Sequence, residues 1–131
     1  MQFLNRNRPF RESLSCALEG LVVAFKTQHN MHIHTFLSCL VVSFGIYFQI
    51  SRWEWVALLS AIFSVFITEL LNTAIEDAID LMTQEHHHLA KSAKDIAAAA
   101  VLIAALYSLC IAYLIFFDRL ATLILEGVHF W

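Results

Sequence analysis

Apolar residues are concentrated in three long runs separated by short polar breaks. Each run is close in length to the ~20 apolar residues that a helix needs to cross the core of a bilayer. The three runs are residues 33–50, 53–71 and 96–117. The break between the first two runs, "SRW", is so short that it predicts a tight helical hairpin. The pattern therefore predicts three transmembrane helices, with the second helix extending out of the membrane to residue 81.

The segment 9–26 has a different pattern, because its apolar residues recur at helical spacing and its polar residues take the opposite side. The apolar set is Phe10, Leu14, Leu18, Leu21, Val22 and Phe25, and the polar set is Arg11, Glu12, Ser15, Glu19 and Lys26. Pro9 suits the first turn of such a helix. This pattern predicts an amphipathic helix that lies on the membrane surface or against the bundle.

Composition supports a membrane protein. Hydrophobic residues make up 60% of the chain and charged residues 15%, with a mean hydropathy of +0.68, whereas soluble domains are about half apolar and about a quarter charged. With 3 Gly and 1 Pro in 131 residues, long uninterrupted helices are expected. We therefore predict one all-α integral-membrane domain over residues 1–131. The net charge of -3 argues against a nucleic-acid partner.

Basic residues indicate the orientation, because loops on the cytoplasmic side carry an excess of Lys and Arg. Arg52 and Arg119 fall on one side of the predicted spans. The other six basic residues fall on the opposite side, and they are Arg6, Arg8, Arg11, Lys26, Lys91 and Lys94. This distribution predicts a cytoplasmic N-terminus and a cytoplasmic loop over residues 82–95.

The stretch "ELLNTAIEDAID", residues 69–80, places acids at the cytoplasmic end of the second span. Its polar residues share one helical stripe about 16 Å long, formed by Glu69, Asn72, Thr73, Glu76 and Asp80. Asp77 lies to one side and is expected to face solvent. A carboxylate at membrane depth is costly unless it is paired or functional, so the stripe predicts a site.

Two kinds of chemistry fit this stripe. Several carboxylates and an amide can hold Mg²⁺, which takes oxygen ligands, and Glu69 is the acid deepest in the membrane, as a buried general base would be. The structural alternative is that Glu69 accepts a hydrogen bond from a Ser or Thr of a neighbouring helix. Two hypotheses from other classes remain: the stripe could be the ion path of a small divalent-cation transporter or channel subunit, or the chain could be a non-enzymatic membrane scaffold.

The predicted loop "QEHHHLAKSAKD", residues 84–95, faces the same side as the stripe. Its Glu and His residues are read as ligands, nucleotide contacts or solvated loop. Ser92 with Asp95 matches a capping box, which would open the third helix near Lys94 and Asp95. Lys94 would meet anionic lipid head groups or phosphate oxygens. No glycine-rich phosphate loop is present, so any ATP would be held by metal and side chains.

These motifs resemble a known family. The pattern E-x-x-N-S/T-A-I/L-E-x-x-x-D in "ELLNTAIEDAIDL", followed by "EHHHLAKSAKDIAAAAVLIAA", is similar to the small bacterial integral-membrane diacylglycerol kinase and undecaprenol kinase family, over about residues 9–117. The resemblance implies a homotrimer with active sites between protomers at the cytoplasmic face of the bacterial cell membrane. It also implies Mg²⁺-dependent transfer of the ATP γ-phosphoryl group to a lipid hydroxyl.

The resemblance also implies residue roles. Glu69 would be the general base, with Asn72 positioning it, and Glu76 would bind metal and ATP. Gln28 stands where the family often has a metal-binding Glu, so it is a weaker ligand for metal and ATP. The other implied ATP-binding residues are Glu85, His86, His87, Lys94 and Asp95, with Asp80 in a supporting role.

The lipid acceptor is inferred from the branch of the family. "AFKTQHNMHIH" and "ISRWEW" are similar to the branch common in Gram-positive bacteria, which favours undecaprenol as the acceptor and undecaprenyl phosphate as the product. Diacylglycerol, giving phosphatidic acid, is the alternative, because both lipids present a primary hydroxyl at the interface.

Overall fold

Four α-helices make up the fold in a computed structural model, which describes residues 9–83, 85 and 87–128, with side chains to residue 125. The helices are α1 (Phe10–Thr27), α2 (His29–Tyr47), α3 (Arg52–Met82) and α4 (His88–Val128). No strand occurs in these described ranges. The predicted all-α class is therefore confirmed, and it follows from a chain with few glycines and a single proline.

The joint between α1 and α2 is a single residue. Gln28 has an extended backbone with φ -103° and ψ 113°, and its N–H still donates to the Ala24 carbonyl. This break folds α1 back so that the Phe25 ring stacks on Phe66 of α3, with 6.5 Å between the ring centroids. The end of α1 thus contacts the turn of α3 that precedes Glu69.

The helix predicted over 9–26 is observed, and Pro9 immediately precedes it as the N-cap residue. Its apolar face is largely uncovered by the described part of the chain, since five large side chains remain exposed: Phe10, Leu14, Leu18, Leu21 and Val22. The contact of this face with the membrane surface stays a prediction.

The link between α2 and α3 is short, and its conformation is held by backbone hydrogen bonds and a helix cap. Ile50 N–H donates to the Gly45 carbonyl and Gln49 N–H to the Ile46 carbonyl, which is the Schellman pattern of a helix end. Gln49 has the left-handed φ of 49° that this pattern requires. Ser51 then caps α3 in a reciprocal capping box with Glu54. The predicted hairpin is confirmed, although α2 ends earlier than the predicted limit of residue 50.

The core lies between α3 and α4 near this link. Its buried members are Ile50, Leu58, Ile62, Ile115 and Phe116. Gly45 allows α2 to join this core, because a Cβ there would lie 2.8 Å from the Trp55 ring. The absence of a side chain at Gly45 therefore permits the close approach of α2 to the start of α3.

An ion pair joins α3 to α4 at each end of the antiparallel pair of helices. Arg119 Nη2 lies 2.9 Å from Glu54 Oε1, and Lys94 Nζ lies 2.5 Å from Asp80 Oδ1. From Glu54 to Asp80, α3 rises about 39 Å at about 1.5 Å per residue. This length exceeds the hydrocarbon thickness of about 30 Å, so both charged pairs can lie outside the apolar core of a bilayer.

Two of the described helices are long and apolar enough to cross a membrane: the α3 segment Arg52–Met82 and the α4 segment His88–Leu125. The shorter α2 is not among them. Its first turns contain His29, His32 and His34, which lower its apolar character, and the helix ends at Tyr47. The crossing predicted for residues 33–50 therefore stays a prediction.

The predicted start of the third helix, near Lys94 and Asp95, was wrong. α4 begins at His88, several residues before Lys94 and Asp95, so Ser92 is an interior helical residue and forms no capping box. The cap is instead His87, whose Nδ1 accepts from the Leu89 N–H at 3.2 Å. A histidine ring nitrogen gives no standard capping signal in the sequence, which explains the error.

The C-terminal part of α4 extends beyond residue 117, where the predicted third span ends. The helix continues without a break through Asp118 and Arg119 to Val128. Arg119 donates to the Ile115 carbonyl and pairs with Glu54. The Arg119 guanidinium is therefore neutralised by a carboxylate of α3, and the helix continues past this residue.

Candidate active site

Glu69 is buried in the middle of α3. Its residue exposure is 2%, and its Oε2 has no hydrogen-bond partner among the described residues. Thr73, also buried, donates to the Glu69 backbone carbonyl at 3.0 Å and not to the carboxyl group. A buried polar atom without a partner is costly, so a further donor placed at Oε2 would be stabilised.

Asn72 and Glu76 form the next pair along α3. Asn72 Nδ2 donates to Glu76 Oε1 at 2.9 Å, a contact that the spacing of four residues makes natural on a helix. The other end of the amide, Asn72 Oδ1, is buried without a donor in the described part of the structure. Two unpaired buried oxygens, from Glu69 and Asn72, therefore lie one turn apart on α3.

A cleft of about 410 Å³ opens where α3 ends and α4 begins. Its wall combines the end of α3, the connecting turn and the first turns of α4, with the charged or ionisable residues Asp80, Glu85, His87, Lys91, Lys94 and Asp95. Five predicted site residues are thus brought together in one cleft: Asp80, Glu85, His87, Lys94 and Asp95.

Both lysines of this cleft are paired with carboxylates. Lys94 Nζ lies 2.5 Å from Asp80 Oδ1 across the two helices. Lys91 Nζ lies 2.5 Å from Asp95 Oδ2 within α4. Lys94 is the less exposed lysine, at 34% of its side chain against 77% for Lys91.

The connecting turn is held by local hydrogen bonds. The Glu85 N–H donates to Thr83 Oγ1 at 3.1 Å, and His87 Nδ1 caps α4. His87 therefore has a structural partner on one ring nitrogen while its ring still lines the cleft. His86 lies outside the described residues, so its predicted nucleotide contact stays a prediction.

Gln28 lies apart from this cleft. Gln28 is half-buried at the joint of α1 and α2. It lines neither the charged cleft nor the apolar groove described in the next paragraph. The stacking of Phe25 on Phe66 brings this joint to the side of α3 near Glu69. Its predicted ligand role stays a prediction.

An apolar groove of about 390 Å³ runs along α3 and α4 next to the cleft, on the side toward the middle of α3. Asn72 is its most polar member, and Thr68 lies one turn away. Small side chains of α4, those of Ala93, Ala97 and Ala100, form its opposite wall. The groove therefore connects a surface suited to hydrocarbon with the polar stripe of α3.

The donor set on α3 fits Mg²⁺ in its chemistry. No three His, Cys, Asp or Glu side chains of the described residues converge to form a metal cluster. However, Glu69 Oε2 and Asn72 Oδ1 are buried and lack donors in the described ranges, and Glu76 adds a carboxylate beside Asn72. Mg²⁺ is usually held by one or two carboxylates together with substrate phosphates, so a dense protein cluster is not required.

Lys91 also lines the cleft, although the sequence pattern was used at this position only to predict membrane orientation. Its spacing of three residues from Lys94 would have placed both on one face, but only on a helix. The sequence predicted a loop there, and the early start of α4 at His88 changes this.

The described structure thus combines two helices long enough to span a bilayer, a buried carboxyl group within α3 and a cleft lined by two lysines. The chain belongs to the prokaryotic diacylglycerol kinase family, whose model matches residues 15–116. It is therefore a membrane-associated lipid kinase, which uses ATP and a lipid substrate. The suspected family resemblance is confirmed.

Three relatives illustrate the similarity. The undecaprenol kinase of Bacillus subtilis is 41% identical over 117 residues, covering 89% of this chain and 93% of the relative. The diacylglycerol kinase of Synechocystis is 42% identical over 95 residues, covering 72% of this chain and 54% of the relative. The diacylglycerol kinase of Haemophilus influenzae is 33% identical over 92 residues, covering 70% of this chain and 78% of the relative.

Proposed function

We propose that this lipid kinase transfers the γ-phosphoryl group of ATP to the hydroxyl of undecaprenol, giving undecaprenyl phosphate. The observation that carries the proposal is the buried Oε2 of Glu69, which has no hydrogen-bond partner among the described residues. A lipid hydroxyl would donate its hydrogen to this oxygen and supply the missing bond. The similarity to an undecaprenol kinase over nearly the full length of both chains supports this acceptor.

Glu69 acts as the general base in this proposal. Its Oε2 takes the proton of the lipid hydroxyl as the hydroxyl oxygen attacks the γ-phosphorus. The bond from the γ-phosphorus to the bridging oxygen breaks, and ADP leaves with that electron pair. Phosphoryl transfer depends mainly on positioning and charge stabilisation, so one buried base and a set of cations are sufficient protein machinery.

The apolar groove supports lateral entry of the lipid. Its alanine wall on α4 and Leu71 and Ile75 on α3 offer hydrocarbon contacts, while Asn72 lies at its polar side. A long isoprenoid chain would remain in the bilayer and the groove while its hydroxyl reached Glu69. This arrangement keeps the hydroxyl away from bulk water, which limits the competing hydrolysis of ATP.

The charged cleft is the proposed ATP site. Lys94 would contact phosphate oxygens, and Glu85, His86, His87 and Asp95 would contact the rest of the nucleotide, with Asp80 orienting Lys94 in the resting state. Glu76 and Gln28 would hold Mg²⁺, which offsets phosphate charge when it is bound. Asn72 holds Glu76 in place through its hydrogen bond.

The topology and assembly are part of the proposal. The charge distribution supports a cytoplasmic N-terminus and active site, α1 on the membrane surface and α2 as a third crossing. The exposed apolar side chains of α1, α3 and α4 support burial in lipid and against other copies. Three copies would form the active unit.

Replacing Glu69 with Gln tests the base role, because Gln keeps the shape of the side chain and loses its basicity. We expect kcat to fall by about 10²–10⁴ in vesicles with ATP, Mg²⁺ and undecaprenol, followed by labelled phosphate in extracted lipid. The matched control is Glu19→Gln on the exposed face of α1. Near-normal transfer by Glu69→Gln would exclude the base role.

Acceptor identity needs a separate assay. Undecaprenol and diacylglycerol are mixed in one vesicle population, and the labelled products are separated. We expect a higher kcat/KM for undecaprenol than for diacylglycerol. A higher kcat/KM for diacylglycerol would instead support the alternative, a diacylglycerol kinase. Transfer to neither lipid would contradict both assignments.

A further inference from the structure

Lys91 occupies a place in α4 that helix stability does not explain. It is the fourth residue of the helix, where a positive charge opposes the helix dipole. It also lies one turn before Lys94, and like charges at this spacing repel. Its partner Asp95 follows it by four residues, which is the weaker orientation for such a pair.

The Lys91–Asp95 pair is also easy to open. Both side chains are mostly exposed, at 77% and 62%, and exposed pairs of this kind contribute little to stability. An incoming anion of higher charge would therefore take the Lys91 ammonium group from Asp95 at little cost. Lys94 is held more firmly, since its pair with Asp80 bridges two helices and is less exposed.

Lys91 and Lys94 face the same cleft. Both line the cleft of about 410 Å³ at the end of α3. Their spacing on one helix face places their Cβ atoms about 5–6 Å apart. Two ammonium groups so placed can contact neighbouring phosphate groups of one molecule. Charge-assisted hydrogen bonds to phosphate are among the stronger polar contacts in proteins.

We propose that Lys91 is a second nucleotide-binding residue, which exchanges Asp95 for a phosphate group of ATP when the nucleotide enters the cleft. The inference rests on the proposed function, because it takes this cleft as the ATP site. Lys94 and Lys91 then bind phosphate together, and Asp80 and Asp95 are released from their lysines. Asp95 becomes available to the nucleotide at the same moment.

The test compares Lys91→Met with wild type by direct titration of ATP with Mg²⁺ and by lipid kinase kinetics. We expect the ATP Kd and the ATP KM to rise about three- to tenfold, the change expected for losing one charge-assisted contact. The lipid KM and kcat change little. Lys91→Arg restores most of the affinity, and the ATP KM of Lys91→Met depends less on ionic strength than that of wild type.

Lys26→Met is the matched control, because Lys26 is an exposed lysine of α1 outside the cleft. An unchanged ATP Kd in Lys91→Met, or an equal rise in Lys26→Met, overturns the role of Lys91. If ATP affinity depends on Lys91 but no lipid is phosphorylated, the proposed function fails and the Lys91 assignment stands. If wild type binds no ATP, both fail.

Discussion

Asn72 Nδ2 donates a hydrogen bond to Glu76 Oε1 at 2.9 Å, one turn along α3 from the buried carboxyl group of Glu69. The other end of this amide, Asn72 Oδ1, is buried and has no donor in the part of the chain that the structure describes. Asn72 therefore links the buried part of the stripe to the Glu76 carboxylate.

Replacing Asn72 with Ala should impair catalysis more than stability. Glu76 would lose its orienting partner, and we expect kcat/KM to fall about 10- to 100-fold, since small misplacements of catalytic groups cost this much. The measurement is lipid phosphorylation at saturating ATP. Asn30→Ala on the exposed part of α2 is the control, and equal losses in both variants would contradict the role.

The Mg²⁺ requirement tests Glu76 separately. Removing its carboxylate in Glu76→Ala should raise the Mg²⁺ concentration needed for half-maximal activity, because one oxygen ligand and one negative charge are lost. The measurement is a Mg²⁺ titration at fixed ATP. A titration curve that coincides with that of wild type would remove Glu76 from the metal site.

Gly45 should not tolerate a side chain. A Cβ at this position would lie 2.8 Å from Trp55 Cη2 and 3.1 Å from Ile50 Cδ1, so Gly45→Ala forces the ring or α2 to move. We expect a loss of about 1–3 kcal/mol in the free energy of unfolding in detergent.

Gly20→Ala is the control for this substitution, because a Cβ at Gly20 meets nothing within 4 Å in the described part of the chain. Since Ala favours a helix over Gly, we expect a gain of up to about 1 kcal/mol there. Equal effects of the two substitutions would contradict the tight contact at Gly45.

Gln49 should be improved by glycine. Its φ of 49° is left-handed, a region in which a side chain costs roughly 1 kcal/mol or more and glycine does not. Gln49→Gly should therefore raise the unfolding free energy by up to about 1 kcal/mol, and Gln49→Val should lower it, because β-branched residues are poorly tolerated there. The reverse order would contradict this backbone geometry.

The ion pair far from the active site should affect stability alone. Arg119 and Glu54 have side-chain exposures of 33% and 28%, so solvent screens them only in part. A double-mutant cycle of Arg119→Met and Glu54→Gln should give a coupling energy of about 1 kcal/mol or less. Because this pair lies at the opposite end of α3 from Asp80, the kcat of both variants should stay close to wild type.

Much of the fold could be predicted from local sequence. The apolar run that continues into "ELLNTAIEDAID" predicted α3 close to its observed limits, because a long apolar run followed by a polar stripe at helical spacing, without Gly or Pro, is typical of one continuous helix. The start of α4 was missed because His87 caps it with a ring nitrogen. A cap of this kind is visible only when the turn is folded.

The sequence by itself determined the helical class, the family and the common stripe of Glu69, Asn72 and Glu76, because these depend on spacing along one helix. Only the tertiary structure decided the partners of the charges. Asp80 meets Lys94, and Glu54 meets Arg119, since α3 and α4 pack antiparallel in one particular register. The burial of Glu69 was decided in the same way, because packing between helices determines which member of a polar stripe loses its water.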